Sequence, residues 1–167
     1  MQAPGTLLDG ADNQAQAAIL LRKANQIRLS AMTMTHHSSL GHTGGDLSSA
    51  DILATLFLGK VLNLDTDNPA WPQRDRFIMS KGHCSGAFYS ILAARGFFPR
   101  AQLSTFMDPL SQLNGHPDRN KLPGVEANTG PLGHGLPSST IVFVKTWSSF
   151  WGYAEPCAAF GAFESAQ

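Results

Sequence analysis

Residues 75–84 of the chain read DRFIMSKGHC. The apolar run Phe77-Ile78-Met79 is short and is followed at once by Ser-Lys-Gly, which is the pattern of a buried strand that stops in a loop. A helix is predicted directly after this loop, starting at Cys84 and ended by Gly96. The segment therefore predicts a strand–loop–helix unit with a histidine at its turn.

The chain before this unit is predicted to be helical. Apolar residues recur at three- and four-residue steps, which indicates a helix capped by Asp12 or Asn13 that runs to about Ser38. Glycines between 41 and 45 interrupt the pattern. Three further helices are predicted: one capped by Ser48, Ser49 or Asp51, one from Cys84 to about Arg95, and one from Pro99 to about Asp108.

The rest of the chain lacks a helical period. Residues 109–135 are rich in Gly, Pro and Asn, and a loop of that length in a compact domain is typically functional or disordered. Residues 138–167 hold seven of the fifteen aromatic residues but only three charges, and 141–144 could form a strand. We therefore expect a flexible lead-in over 1–12, a domain over 13–137 and a divergent tail over 138–167.

Composition excludes several classes of function. Twelve basic and twelve acidic residues give a net charge of zero, which disfavours nucleic acid and membrane partners. Cys84 and Cys157 are too far apart for a CxxC pair, and the sequence has neither a signal-peptide pattern nor a membrane-spanning apolar run. We expect a cytoplasmic protein. Charged residues make up only 14%, which hints at surface covered by a partner.

Histidines carry the sharpest local signal. Four of the six directly follow glycine, in the pairs Gly41-His42, Gly82-His83, Gly115-His116 and Gly133-His134. Glycine lets a backbone approach a ligand closely, and histidine offers a neutral donor and acceptor near pH 7. The repeated pair suggests several imidazoles that converge on one polar ligand. The alternatives are histidines that merely hydrogen-bond within turns and, less favoured by the spacing, a zinc site.

A second signal is the stretch TGPLGHG at 129–135. Free backbone N–H groups in such a glycine-rich turn can hold phosphate, although the stretch lacks the lysine of a P-loop and the spacing of a dinucleotide fingerprint. A plain glycine turn is the alternative.

These motifs together resemble the N-terminal thiamine-diphosphate-binding domain of transketolase. The matching stretches occur in the family's order and approximate spacing over residues 13–137: SLGHTGGDL at 39–47, DRFIMSKGHC at 75–84, LNGHP at 113–117 and PGVEANTGPLGHG at 123–135. The chain looks especially like the N-terminal subunit of transketolases that are split into two chains. Some sugar-phosphate synthases that use the same cofactor share parts of the pattern.

The resemblance implies an α/β fold, with a parallel sheet flanked by helices and thiamine diphosphate at an interface between subunits. It implies transfer of a two-carbon ketol unit between sugar phosphates, a reaction of the pentose phosphate pathway. By match to the family's motifs, the catalytic residues would be His42 and His116, which stabilise negative charge on the substrate. The cofactor-binding residues would be His83, Gly130, Pro131 and Leu132. His134 stands where other members have glutamine and receives no proton-transfer role.

The sequence also departs from the family. No Gly-Asp-Gly motif, which would supply ligands for Mg²⁺, occurs in it, and residues 136–140 replace an expected helix. We therefore expect a truncated fold with incomplete central strands, a frameshift being one hypothesis for its origin, and no metal ligands. Such a fragment would bind thiamine diphosphate weakly and be inactive alone. Its partner would be a C-terminal transketolase subunit or a second copy. The alternative is a non-catalytic binding or structural subunit, or a gene remnant.

Overall fold

A computed structural model describes residues 13–132. The predicted lead-in 1–12, the pair Gly133-His134 and the tail 138–167 with its strand at 141–144 lie outside the described residues. Within 13–132 the structure has three α-helices: α1 (Asn13–Ser38), α2 (Thr43–Leu58) and α3 (Ser85–Arg95). Two 3-10 segments, Gly82–Cys84 and Arg100–Thr105, complete the regular structure of this part.

Helix α1 has the bounds that its apolar period predicts. The residues of α1 that face the core are all apolar, and two of them are alanines that let α2 and α3 approach: Ala24, Ile27, Ala31 and Met34. Because these residues lie on one stripe at helical spacing, the other side of α1 is left exposed. The three helices pack against one another through this stripe and the aromatic core.

Helix α2 begins earlier than predicted. The capping residues Ser48, Ser49 or Asp51 were expected at its start, but the helix starts at Thr43 and includes both glycines of the Thr-Gly-Gly run. Gly45 has a packing role in this early first turn. A Cβ added to Gly45 would lie 2.9 Å from the Cys84 sulfur, so the close packing of this first turn on the α3 region requires glycine there.

Helix α3 follows the prediction at both ends. Gly82–Cys84 forms a 3-10 turn that leads into it, and Gly96 ends it with φ of 105°, the left-handed conformation favoured at a helix C-terminus. Its buried Phe88 packs on Phe77, with ring centroids 5.6 Å apart, and Phe77 packs edge-on against Phe57 of α2 at 5.2 Å. This aromatic trio fixes the 77–79 segment between two helices.

The strand predicted at Phe77–Met79 is not assigned in the structure. Phe77 is buried as expected, but within 13–132 no strand is present, and only Arg76 forms a single bridge. The carbonyl of Met79 accepts a hydrogen bond of 2.7 Å from the Thr129 hydroxyl, where a strand would use a neighbouring backbone N–H. The parallel sheet therefore stays a prediction.

The fourth predicted helix is shorter than expected and of 3-10 type, covering Arg100–Thr105 after Pro99. From 109 to 132 the chain consists of turns without a helix, as predicted for that part of the loop. None of the helices in the described part of the chain is both long and apolar enough to cross a membrane.

Candidate active site

Three imidazoles from distant parts of the chain lie together on the surface. The ring centroid of His83 is 4.7 Å from that of His42 and 4.7 Å from that of His116, and the His42 and His116 centroids are 6.0 Å apart. His42 and His116 are exposed, whereas His83 between them is partly buried. The predicted convergence of Gly–His pairs is confirmed for these three, and the fourth pair lies outside the described residues.

Each imidazole is placed by a different element. His42 directly precedes α2, and its carbonyl accepts the N–H of Gly45 at 3.1 Å, which fixes the residue at the start of this helix. His83 lies within the 3-10 turn before α3. His116 lies in the long loop, where its position depends on contacts with residues remote in sequence.

The loop that contains Gly130 presses against His116. Gly130 has φ of 126°, and a Cβ added there would lie 2.2 Å from Cδ2 of His116, so only glycine fits both the backbone conformation and the contact. Gly82 similarly lies against the carbonyl of Thr129, 2.6 Å from where its Cβ would be. The 129–132 backbone is thus held directly beside His83 and His116.

Two hydrogen bonds from α3 fix the loop that carries His116. The Ser85 hydroxyl donates to the carbonyl of Gly115 at 2.8 Å, and the Tyr89 hydroxyl donates to the carbonyl of His116 at 3.1 Å. Ser85 and Tyr89 are both buried. Sequence reasoning missed both residues, because nothing local in the sequence shows that they reach the loop. Their polar groups on a mostly apolar helix were the available signal.

A buried carboxylate joins the start of α2 to the start of α3. Asp46 is 2% exposed and accepts the backbone N–H of Ala87 at 2.8 Å. Burial raises the pKa of this carboxyl, and the hydrogen bonds from Ala87 and Gly86 and the nearby His42 and Lys81 oppose that rise. Asp46 of α2 thus caps the N-terminus of α3. It connects α2, which begins directly after His42, to α3, which follows the turn that contains His83.

The surroundings of His116 favour its neutral form. Partial desolvation lowers the pKa of the largely exposed His116, and the neighbouring His83 and His42 lower it further because a second positive charge nearby is unfavourable. A neutral imidazole has one N–H donor and one acceptor nitrogen, so at neutral pH this side chain is able to hydrogen-bond hydroxyl or carbonyl oxygens.

An ion-pair network fixes the segment before Thr129. Glu126 pairs with Arg74, and its other oxygen accepts from Nη1 of Arg76 at 3.0 Å. Arg74 is buried, so this network ties the 123–130 loop to the chain beside the aromatic core.

The remaining predicted site residues follow Gly130 directly. Pro131 and Leu132 are both exposed, and the Leu132 side chain packs on little of the described structure, with 85% of its surface accessible. Their predicted cofactor contact involves the backbone. Among residues 13–132, no group of three or more His, Cys, Asp and Glu side chains is placed to hold a metal ion. We therefore assign no metal role to the three imidazoles.

A cavity of about 510 Å³ opens beside His116. It is lined by the loop on both sides of this histidine and by the 128–131 backbone, including Asn114, Asp118 and Asn128. Its lining consists of loop residues of mixed polarity, in which polar side chains alternate with glycines and prolines.

Sequence comparison identifies related proteins for most of the chain. Residues 20–159 match the family described as "Transketolase, thiamine diphosphate binding domain". The chain is 46% identical over 119 residues to one of the subunits of apulose-4-phosphate transketolase from Actinobacillus succinogenes, a match that covers 71% of this chain and 43% of that protein. It is 41% identical over 114 residues to transketolase 2 of Escherichia coli, covering 68% of this chain and 17% of that protein.

Solved structures agree with this relationship. Transketolase from Leishmania mexicana superimposes with a TM-score of 0.66 and 36% identity, covering 70% of this chain and 18% of that one. Transketolase from Campylobacter jejuni gives a TM-score of 0.63, also at 36% identity, over 71% of this chain and 18% of that one. The matched part thus spans less than half the length of the Actinobacillus protein and under a fifth of the longer transketolases.

Proposed function

Because the chain belongs to the transketolase family, within its thiamine diphosphate-binding domain, we propose that it contributes to the transfer of a two-carbon ketol unit between sugar phosphates. The observation that carries this proposal is the meeting of His42, His83 and His116 within 6.0 Å, centroid to centroid, beside the glycine-rich 129–132 backbone. These residues come from the motifs on which the resemblance to the family rests.

The residues present fit one end of thiamine diphosphate. Gly130 and Gly82 leave no room for a Cβ, so the 129–132 backbone lies close beside His83 and His116 and offers groups that can face a phosphate. In this proposal His83 and the backbone of Gly130, Pro131 and Leu132 hold the diphosphate. When bound, the cofactor supplies the electron sink for the two-carbon unit.

His42 and His116 serve the substrate in this proposal. Both are exposed on the open side of the cluster, where a sugar can reach them. A neutral His116, favoured by its lowered pKa, donates a hydrogen bond to a substrate oxygen on which negative charge develops. His42 acts beside it as a second donor. His83, partly buried between them, limits the orientations that both rings can adopt.

The proposed reaction needs residues beyond these. The Actinobacillus relative is one subunit of its enzyme, and we propose that this chain likewise works with a second, different chain or with a second copy of itself. Ligands for Mg²⁺ would come from outside residues 13–132, since that part of the chain has no group placed to hold a metal. The 167-residue chain by itself is proposed to bind thiamine diphosphate weakly and to catalyse no transfer. Its lack of a disulfide framework supports a cytoplasmic setting.

The test is an activity assay of the chain combined with a C-terminal transketolase subunit. Two-carbon transfer from a ketose phosphate to an aldose phosphate is measured with thiamine diphosphate and Mg²⁺. His42→Gln and His116→Gln should each lower kcat by about 10²–10³, the usual effect of removing a donor to developing negative charge. His36→Gln is the control, because His36 is an exposed histidine in the last turn of α1 that makes no ring contact with His42, His83 or His116 among the described residues, and it should leave kcat unchanged.

Transfer by the wild-type complex but not by the chain alone supports the proposal. A complex that forms but transfers nothing contradicts it and favours the alternative of a non-catalytic subunit. Equal loss of activity in all three variants would contradict the roles assigned to His42 and His116.

A further inference from the structure

We propose that the cavity beside His116 binds the uncharged, hydroxylated carbon chain of a sugar substrate, and that Asn114, Asp118 and Asn128 select it. The inference rests on the proposed function for its identification of the ligand as a substrate. The cavity of about 510 Å³ is large enough for a small sugar chain, and it shares His116 and Gly130 with the imidazole cluster.

The two asparagines present donors to this cavity. Oδ1 of Asn114 accepts from Nζ of Lys121 at 3.1 Å, and Oδ1 of Asn128 accepts from the backbone N–H of Arg119 at 2.8 Å. Because both partners are donors, these contacts fix which end of each amide is oxygen. Within the described part of the chain neither amide nitrogen donates to a protein group, so both NH₂ groups are left for a ligand.

Asp118 contributes an acceptor to the same lining. One of its carboxylate oxygens, Oδ1, accepts the backbone N–H of Asn120 at 2.9 Å, which holds the side chain in a tight turn. Its other oxygen has no protein donor among residues 13–132. Asp118 is half-buried, and its charge adds to the effect of burial in raising the pKa of Tyr89, the residue that fixes the carbonyl of His116.

This set of groups matches hydroxyls better than phosphate. Each hydroxyl both donates and accepts, so a row of them is able to use the amide donors of Asn114 and Asn128 and the carboxylate acceptor of Asp118 together. The phosphate of a sugar phosphate is mainly a dianion at neutral pH and only accepts, and it would face the charge of Asp118. The nearby ammonium of Lys121 already donates to Oδ1 of Asn114. The cavity therefore suits the middle of a sugar phosphate and not its phosphate end.

Binding is tested on the full chain by NMR, with no cofactor present. Ribitol is titrated while the side-chain amide signals of Asn114 and Asn128 are followed. The matched ligand 1,5-pentanediol has the same carbon chain but lacks the three inner hydroxyls, and inorganic phosphate probes anion binding. We expect ribitol to shift both amide signals and the other two compounds to leave them unchanged.

Two variants remove the donors while keeping the loop contacts. Asn114→Asp and Asn128→Asp each retain an oxygen for Lys121 or Arg119 but replace the NH₂ donor. Each should weaken ribitol binding about threefold to tenfold, the usual effect of one lost hydrogen bond. Asn25→Asp is the control, because Oδ1 of Asn25 likewise accepts a donor, Nη1 of Arg28 at 2.9 Å, but on α1.

Ribitol-dependent shifts that are weakened in both loop variants and unchanged in Asn25→Asp support the proposal. Absence of such shifts in the wild-type chain overturns it, as do equal shifts with 1,5-pentanediol or shifts caused by phosphate and not by ribitol. The wild-type titration decides even where a variant fails to fold. The titration contains no thiamine diphosphate, so an absence of ribitol binding does not contradict the proposed transfer reaction. Conversely, an absence of transfer activity does not change the result of the ribitol titration.

Discussion

The carboxylate of Asp46 in α2 accepts the backbone N–H of Ala87 in α3 at 2.8 Å, across 41 residues of sequence. A Cβ on Gly86 would lie 2.7 Å from the same carboxylate, so the helix start and the carboxylate touch directly. Since α2 begins immediately after His42 and α3 begins immediately after the turn that holds His83, this contact sets the distance between two of the three imidazoles.

Replacing Asp46 should affect stability in a manner that depends on pH. Asp46→Ala leaves the buried N–H of Ala87 without an acceptor and should lower the free energy of unfolding by about 1–3 kcal/mol. Asp46→Asn keeps one acceptor and should lower the free energy of unfolding by less.

Burial raises the folded-state pKa of Asp46, so its stabilising contribution is largest at acid pH and is lost as pH rises through that raised pKa. Urea unfolding should therefore show that the free energy of unfolding of Asp46→Asn rises relative to that of the wild type from acid to neutral pH. A relative decrease over the same range would contradict the raised pKa of Asp46.

Substitution at Gly130 should displace His116. Gly130→Ala places a methyl group 2.2 Å from the imidazole and forces a strained φ, so we expect a loss of more than about 1 kcal/mol in unfolding free energy and a changed His116 NMR signal. Gly44→Ala is the matched control, because nothing lies within 4 Å of its Cβ position within a helix. It should stabilise the chain by about 0.5–1 kcal/mol. Equal effects at the two sites would refute the contact.

The lowered pKa of His116 should respond to its neighbours. His83→Gln removes a neighbouring imidazole whose electrostatic effect lowers the pKa of His116, so that pKa should rise toward its usual value. His42→Gln should raise it less, because His42 is farther away. Histidine ring signals followed by NMR across a pH titration measure this directly, with His36→Gln as a control that leaves the pKa of His116 unchanged. A His116 pKa that is indifferent to His83 would mean that the rings do not meet in solution.

Glu126→Ala should lower the free energy of unfolding more than Arg76→Ala does. Glu126→Ala removes the carboxylate partner of the buried Arg74 and should destabilise the chain by about 3–5 kcal/mol. The Arg76 side chain is 42% exposed, so Arg76→Ala should cost only about 0–1 kcal/mol. Thermal unfolding of both variants measures the difference, and similar losses would show that the Arg74 pair is not a structural anchor.

The sequence predicts the helices well where local signals agree with packing. The bounds of α1 and α3 follow from apolar spacing and from Gly96, which needs no knowledge of the rest of the fold. The start of α2 is different, since Gly44 and Gly45 are typical helix breakers and yet lie in its first turn. The close approach of Gly45 to Cys84, which leaves no room for a side chain, is a tertiary contact that the local sequence does not show. The predicted strand at 77–79 depends on a neighbouring strand, and local sequence does not specify one.

The candidate site shows the same division. The glycine–histidine pairs predict that His42, His83 and His116 lie close together. In each pair the glycine lets the backbone approach a ligand closely, and the adjacent histidine supplies an imidazole at the same point. The groups that hold them, Asp46 and Tyr89, act across 27 to 41 residues and carry no local motif. The roles assigned to the histidines and to Gly130 remain predictions.

The most direct test of the central claim is a crystal structure of the chain in complex with its C-terminal partner, a second transketolase subunit, grown with thiamine diphosphate and Mg²⁺. We predict that the diphosphate lies within hydrogen-bonding distance of His83 and of the backbone at 130–132, and that His42 and His116 face the reactive end of the cofactor. A cofactor bound away from all three imidazoles would contradict it.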